Sequence, residues 1–254
     1  MNLVWVFDSE VILGNHVGEL TSERKIILMN YYTQSIINAK KYGYHTIIYC
    51  DDYSTKYFEG NVDEIIVVDC SNRHLLYDSL KMYVLEHRKD DDYCIMDGDV
   101  LLHNQLPMFT GDVIFDAYEI SNYNHSYKHI LDKLTELNVQ EVIPFWKVQK
   151  FPIICVGLLS IRNEELKNHF IKYYNLFYNF VSDNKDKLQL DYTTAIGSQY
   201  LLTLCSEGYI HQPLSNIVGY ENPYYLHHCG PLKYNNPMLP KTHLIHPQNK
   251  KTLL

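Results

Sequence analysis

The sequence predicts an α/β fold with a mainly parallel central sheet and helices on both of its faces. Short apolar runs alternate with segments of helical periodicity through the first third of the chain, and acidic residues follow the ends of these runs. Such alternation is typical of parallel sheets, because a helix must carry the chain back to the starting edge before the next strand. We expect one domain over residues 1–254, divided into halves at 1–105 and 106–254.

The elements of the first half follow from their apolar patterns. Residues 3–7 form a continuous apolar run, which is typical of a strand buried on both faces. Residues 22–42 place apolar side chains at helical spacing and end before Gly43, a residue type that commonly terminates helices. By the same criteria we expect strands over 45–49, 65–68 and 93–96, and a helix over 75–87.

The second half has a less regular pattern. Residues 164–181 repeat apolar side chains every three to four positions, which predicts an amphipathic helix. The apolar run 153–161 predicts a strand, in which Gly157 indicates a bulge or a close backbone approach. From residue 209 onward Pro, Asn and His are frequent, so we expect loops. The remaining predicted elements are a strand over 113–115 and helices over 127–137 and 192–206.

Composition and charge exclude several classes of protein. The chain has 30 acidic and 22 basic residues, whereas proteins that bind a nucleic-acid backbone usually have a basic surplus, so we expect no nucleic-acid partner. No apolar run approaches the roughly 18–20 residues that span a bilayer, and no basic residues precede the first apolar run as in a signal peptide. We therefore expect a cytoplasmic protein. The six cysteines contain no CxxC pair, which predicts reduced core thiols.

Acidic residues follow four of the predicted strands at their carboxyl ends. These are Asp8, Asp51, Asp69 and Asp97. In open α/β sheets, ligands bind just outside the carboxyl ends of the strands. We therefore expect these acids to converge on one cleft, although they lie far apart in sequence.

The motif Asp97-Gly98-Asp99, a DxD, is the strongest single signal for a chemical site. Carboxylate oxygens suit Mg²⁺ or Mn²⁺, which proteins often hold with one or two carboxylates together with substrate phosphates. The glycine allows a tight turn and a close approach. Apolar strand segments are predicted on both sides of the motif, unlike an acidic turn at the surface.

A second motif, HxxGxxK, lies near the end of the chain. His227 is a residue type that binds Mn²⁺, Gly230 lets the backbone approach phosphates, and Lys233 can neutralise a diphosphate. Lys81 lies on the predicted helix before the DxD strand, where an ammonium can balance the acids or reach a donor molecule. Three further histidines compete with His227 as a metal ligand: His228, His243 and His246.

The order of these features resembles a known family. Asp8 at a strand end, then Lys81, the DxD and the late HxxGxxK resemble glycosyltransferases of the GT-A (Rossmann-like) fold. The pattern is most similar to glycosyltransferase family eight, the glycogenin and lipopolysaccharide galactosyltransferase group. The motif order spans the chain from Leu3 to Lys233. The chain departs from the family at Cys155, where an Asn is usual.

The resemblance implies a role for each matching residue at the metal and the phosphates. Asp97, Asp99 and His227 would bind a Mn²⁺ or Mg²⁺ ion. Gly230 and Lys233 would contact the diphosphate of a nucleotide sugar. The first half of the chain, which ends with the DxD region, would bind the nucleotide sugar, and the second half would form the acceptor side.

The resemblance also implies contacts with the nucleotide and with the sugar. Asp8, Ser9 and Gly98 would contact the nucleotide, with Asp8 near its base. Lys81 would lie beside the donor sugar or phosphate, and Asp191 or Gln199 would line the sugar pocket. The candidate catalytic residues are then Lys81, Asp97, Asp99, Asp191 and Gln199.

The implied activity is transfer of a sugar from a nucleotide sugar, with a UDP-sugar as the favoured donor, to an acceptor hydroxyl with retention of configuration. The acceptor would be a glycan, a protein or a small molecule. An inverting enzyme would instead need a carboxylate base, for which Asp116, Glu119 and Asp191 are candidates. Two other classes remain open. One is a nucleotidyltransferase, which usually has a glycine-rich or basic phosphate motif near the first strand, and the other is a non-catalytic protein that binds nucleotide sugars or carbohydrates.

Overall fold

The computed structural model describes residues 1–12, 22–71, 76, 78–90, 92–119, 127–148, 152–188, 193, 196–216 and 222–227. The strands are β1 (Asn2–Phe7), β2 (His45–Cys50), β3 (Glu64–Val67), β4 (Tyr93–Met96), β5 (Val100–Leu102), β6 (Val113–Phe115), β7 (Tyr118–Glu119), β8 (Ile153–Ile154), β9 (Leu158–Ile161), β10 (His211–Pro213) and β11 (Tyr225–His227). The α-helices are α1 (Ser9–Ile12), α2 (Ser22–Lys41), α3 (Thr55–Phe58), α4 (Ser79–His87), α5 (Lys128–Glu136), α6 (Glu164–Asp183) and α7 (Leu201–Cys205). A π-helical turn, Ile196–Tyr200, precedes α7.

Seven strands form the central sheet in the order β10-β6-β9-β4-β1-β2-β3. Only β9 runs against its neighbours, since it pairs antiparallel with β4 and β6 while the other pairs are parallel. Two small antiparallel sheets, β5 with β11 and β7 with β8, lie outside it. The prediction of an α/β fold with a mainly parallel central sheet is therefore confirmed.

The side chains of β1 alternate between two apolar layers, one on each face of the sheet. Leu3, Trp5 and Phe7 pack with apolar residues of α2, whereas Val4 and Val6 pack with those of α4 and α6. Alternate residues of a strand point to opposite faces, so a strand that is apolar throughout must be covered twice. Helices cover both faces, as the sequence predicts.

A buried chain of hydrogen bonds ties the first strand to the segment that carries the DxD motif. The indole Nε1 of Trp5 donates to Ser35 Oγ at 3.0 Å, and Ser35 Oγ donates to the carbonyl oxygen of Val100 at 2.5 Å. Burial of these polar atoms is tolerated because each one has a partner. The contact fixes the start of β5 against helix α2.

The expectation of loops from residue 209 onward is wrong for two short segments. β10 extends the central sheet beside β6, and β11 pairs antiparallel with β5. Each segment has three residues and is held by a strand that is distant in sequence, so its local composition does not reveal it. The predicted strand 153–161 is also divided, because β8 and β9 pair in different sheets.

The buried thiols agree with the prediction of reduced core cysteines. Cys50, Cys70, Cys94, Cys155 and Cys205 are buried and unbridged. Among the helices of the described segments, none combines the length and the apolar content that crossing a bilayer requires.

Candidate active site

The DxD motif forms the turn at which the chain leaves the central sheet. β4 ends at Met96, and β5 begins at Val100 in the small sheet with β11. The amide of Asp97 donates to the carbonyl of Gly157 at 2.8 Å, and the amide of Val100 donates to the carbonyl of Asp97 at 3.1 Å. These bonds hold the turn at the carboxyl end of a central strand, as predicted.

Gly98 is needed in this turn because an aromatic ring lies against it. A β-carbon at this position would lie 2.3 Å from the ring carbons of Tyr32, which belongs to helix α2. The hydroxyl of Tyr32 donates to the carbonyl of Val6 at 3.1 Å, so the ring is held in place. The group that approaches Gly98 closely in this structure is therefore the Tyr32 ring of the protein itself.

The pairing of β11 with β5 brings His227 to the DxD turn. His227 pairs with Val100, and Val100 is the residue that directly follows Asp99. Its Nε2 is 3.5 Å from Asp99 Oδ1. The imidazole rests on Gly157, where a β-carbon would lie 2.2 Å from the ring carbon Cε1. The register of β11 with β5 and the absence of a side chain at Gly157 thus set the position of the imidazole ring.

Asp97, Asp99 and His227 form a set that fits a divalent cation. One ligand atom from each of them lies within 4.8 Å of the others. Bonds of about 2.1 Å in an octahedron give ligand separations of about 3 to 4 Å, and the 3.5 Å between His227 Nε2 and Asp99 Oδ1 falls in this range. Two carboxylates and one imidazole suit Mn²⁺ or Mg²⁺. The donor set and its spacing fit the ion that the motifs imply.

Lys81 is buried beside the DxD turn rather than exposed on the helix surface. Its Nζ is 2.5 Å from Asp97 Oδ1 and donates to the carbonyl of Val156 at 2.9 Å. Burial lowers the pKa of this ammonium, but the attraction and hydrogen bond of Asp97 outweigh that effect, with help from Asp78, and the pKa is raised. Lys81 is therefore a fixed positive charge at neutral pH.

A second buried carboxylate, Asp116, lies behind His227. Its Oδ2 lies 2.5 Å from His227 Nδ1, and its Oδ1 accepts from the hydroxyl of Tyr225 at 2.6 Å. The thiol of Cys155 also donates to Oδ2, at 3.6 Å. Burial raises the pKa of this thiol well above its ordinary value, so it remains a donor. Asp116 is 0% exposed.

The first two residues after β1 lie at the same edge of the sheet as the DxD turn. The register of Trp5 with Met96 sets the ends of β1 and β4 side by side. The amide of Ser9 donates to Asp51 Oδ2 at 2.6 Å, and Asp8 Oδ1 accepts from the amide of Glu10 at 3.0 Å. Asp8 and Asp51, which each follow a strand, thus lie at this edge of the sheet. Contact of Asp8 and Ser9 with a nucleotide stays a prediction.

Gln199 joins a different hydrogen-bonded group. The Tyr127 hydroxyl lies 2.7 Å from Gln199 Oε1 and 2.8 Å from Glu119 Oε2. One hydroxyl proton cannot serve two acceptors, so with Glu119 ionised the Gln199 amide turns its NH₂ toward Tyr127. A sugar-pocket role for Gln199 stays a prediction. The other predicted site residues lie outside the described residues: Asp191, His228, Gly230, Lys233, His243 and His246.

Sequence reasoning missed how Asp116 and Tyr225 contribute to the site. Asp116 was considered only as a possible catalytic base, and Tyr225 lies in a region expected to form loops. One signal was available, because Asp116 directly follows β6 in the way that Asp97 follows β4. Contact with His227, across 111 residues, could not be read from the sequence.

Among solved structures, the chain is similar to several glycosyltransferases. No family model and no curated protein matches it. An active-site mutant of LgtC matches at 14% identity with a TM-score of 0.48, over 91% of this chain and 88% of that chain. Galactosyltransferase LgtC in complex with donor and acceptor sugar analogs matches at 12% identity and 0.43, over 78% and 70%. The glycosyltransferase GlyE of Streptococcus pneumoniae TIGR4 matches at 9% identity and 0.37, over 84% and 45%.

The contact between Gly157 and His227 leads to a stability test. Gly157→Ala places a methyl group where the imidazole lies, and we expect this overpacking to lower the free energy of unfolding by about 1–3 kcal/mol. In a His227→Ala background the space is open, so the same substitution should cost much less. Urea denaturation of the four proteins measures the coupling. An equal cost in both backgrounds would contradict the contact.

Proposed function

We propose that the protein is a metal-dependent glycosyltransferase that moves a sugar from a nucleotide sugar to an acceptor hydroxyl. The observation that carries the proposal is the convergence of Asp97, Asp99 and His227 at the carboxyl end of a central strand. His227, the first residue of the second motif, joins the DxD motif there in one donor set although the two are far apart in the sequence. The resemblance of the motif order to glycosyltransferase family eight supplies the reaction class.

The charges around the DxD turn suit departure of a nucleoside diphosphate. A divalent cation, when bound, would offset the negative charge that develops on the leaving phosphates. Asp97, Asp99 and His227 would hold it. Lys81 adds a buried positive charge beside Asp97 and restrains that carboxylate. From the resemblance, Gly230 and Lys233 would contact the diphosphate, and Asp8, Ser9 and Gly98 the nucleotide.

Loss of one DxD carboxylate should abolish the reaction. For Asp99→Asn we expect Mn²⁺-dependent release of nucleoside diphosphate from the donor to fall by about 100-fold or more, because charge stabilisation at the leaving group is lost. The matched control is Asp132→Asn, which removes an exposed carboxylate from α5 with the same charge change. We expect its rate to stay within about two-fold of the wild type. Full activity of Asp99→Asn would refute the metal site.

The donor is proposed to be a UDP-sugar, on the strength of the resemblance. In a thermal-shift panel of UDP-, GDP- and CMP-sugars with and without Mn²⁺, we expect stabilisation only by a UDP-sugar with Mn²⁺, since a ligand at 100 times its Kd stabilises by about 2.7 kcal/mol. A response to a GDP- or CMP-sugar would change the donor. A response without metal would refute metal dependence. Binding without turnover would favour the non-catalytic alternative.

Retention of configuration is proposed on the strength of the resemblance to glycosyltransferase family eight, and the contacts of two candidate inverting bases support it. An inverting base needs a carboxylate oxygen directed at the acceptor. Both oxygens of Asp116 already accept hydrogen bonds from buried donors, and Glu119 is hydrogen-bonded to Tyr127. Neither group is arranged to take a proton from an acceptor hydroxyl.

Stereochemistry can be tested with water as the acceptor. During slow hydrolysis of an α-linked nucleotide sugar, we expect early proton NMR spectra to show the free α-sugar before mutarotation. The donor without enzyme is the control for spontaneous hydrolysis. Initial appearance of the β-sugar would show inversion, and Glu119→Gln and Asp191→Asn would then be compared to find the base.

A further inference from the structure

We propose that Asp116 is a positioning residue that orients His227 for metal binding by accepting a hydrogen bond from Nδ1. This inference rests on the proposed function, because it assigns a purpose to a contact behind the proposed metal site. It adds to the DxD turn and His227 a fully buried carboxylate whose oxygens contact His227 and Tyr225.

The two nitrogens of the His227 ring face two different carboxylates. Nδ1 is 2.5 Å from Asp116 Oδ2, and Nε2 is 3.5 Å from Asp99 Oδ1. Of these two contacts only the shorter has the length of a strong hydrogen bond, and a carboxylate oxygen is the acceptor in it, so the ring proton belongs on Nδ1. The lone pair is then on Nε2, on the side of the DxD turn. Metal-bound histidines usually donate their other N–H in this way.

Asp116 is itself held rigidly. Its Oδ1 accepts from the Tyr225 hydroxyl, which belongs to the same short strand as His227. Its amide donates to the carbonyl of Leu158 at 3.0 Å, and its carbonyl accepts from the amides of Leu214 and Ser215. Backbone bonds to β9 and to the residues after β10, together with the Tyr225 hydroxyl of β11, hold the carboxylate in place and so restrain the His227 ring.

Asp116, Cys155 and His227 also satisfy a distance criterion for a metal-binding group, with ligand atoms within 4.8 Å. Their spacing argues against an ion between them. Two ligands of one zinc ion, with bonds of about 2.0 Å, are separated by roughly 3.3 Å. The 2.5 Å between His227 Nδ1 and Asp116 Oδ2 is a hydrogen-bond distance and leaves no room for a metal. This group therefore supports the DxD site and is not a second centre.

The first experiment measures the tautomer of His227 in the metal-free protein. Long-range ¹H–¹⁵N NMR of histidine-labelled protein distinguishes a protonated Nδ1 from a protonated Nε2, and His227→Gln assigns the signals. We expect Nδ1–H in the wild type and a shift toward Nε2–H in Asp116→Asn and Asp116→Ala. An Nε2–H tautomer in the wild type would overturn the proposal, and this measurement needs no variant of Asp116 to fold.

The second experiment measures Mn²⁺ affinity by electron paramagnetic resonance of free Mn²⁺. For Asp116→Asn and Asp116→Ala we expect affinity to fall by about 10–100-fold, as is typical when the partner of a metal-bound histidine is lost. Asp63→Asn is the control for general destabilisation, because it weakens a part-buried hydrogen bond from Thr46 and removes an ion pair with Lys40 far from the site. Its Mn²⁺ affinity should equal that of the wild type.

The two experiments separate this inference from the proposed function. If the wild type binds no Mn²⁺ even with a nucleotide sugar present, the metal-dependent function fails, and so does the purpose assigned to Asp116. If the wild type binds Mn²⁺ and folded Asp116 variants bind it equally well, the function stands and the positioning role is refuted. A merely structural role would lower stability, as in Asp63→Asn, without changing the tautomer or the affinity.

Discussion

Asp116 is fully buried and has hydrogen-bond partners at both of its carboxylate oxygens, and these contacts organise the candidate site around it. The donors come from β11 and from the segment between β8 and β9, while the backbone of Asp116 is bonded to β9 and to the residues after β10. Removing one of the side-chain donors would leave a buried oxygen less well satisfied, at a cost of about 1–3 kcal/mol. One acidic side chain thus fixes the arrangement of strands that are remote in sequence.

Charge balance explains why the same region is suited to a divalent cation. The Lys81 ammonium offsets Asp97, and the Nδ1–H of His227 faces Asp116. Asp99 is also largely buried and lies beside the Nε2 side of His227. A metal between these groups would add positive charge where acidic oxygens concentrate and would use the imidazole lone pair. The DxD turn and its surroundings therefore have compatible electrostatics.

The central sheet and its helices were predictable because their elements have clear local patterns: residues 3–7 of β1 are all apolar, and α6 is amphipathic. Asp97 and Asp99 were found for the same reason, since their motif is continuous. β10 and β11 were missed because each is three residues long and exists only through pairing with a distant strand. The division of 153–161 into two strands follows from Gly157, whose carbonyl bonds to Asp97. Long-range hydrogen bonds, such as those of Asp116, leave no local pattern to read.

The long sequence separation within the site has a consequence for how the chain folds. The contact between Asp116 and His227 closes a loop of 111 residues. In an unfolded chain, the entropic cost of closing a loop of this length is about 4 kcal/mol plus a constant. Such contacts form late, after local helices and neighbouring strands have already reduced the search. During synthesis, His227 leaves the ribosome long after the DxD turn. A ligand that contacts both the DxD turn and β11 would then stabilise the pairing of β11, the last described strand, with β5.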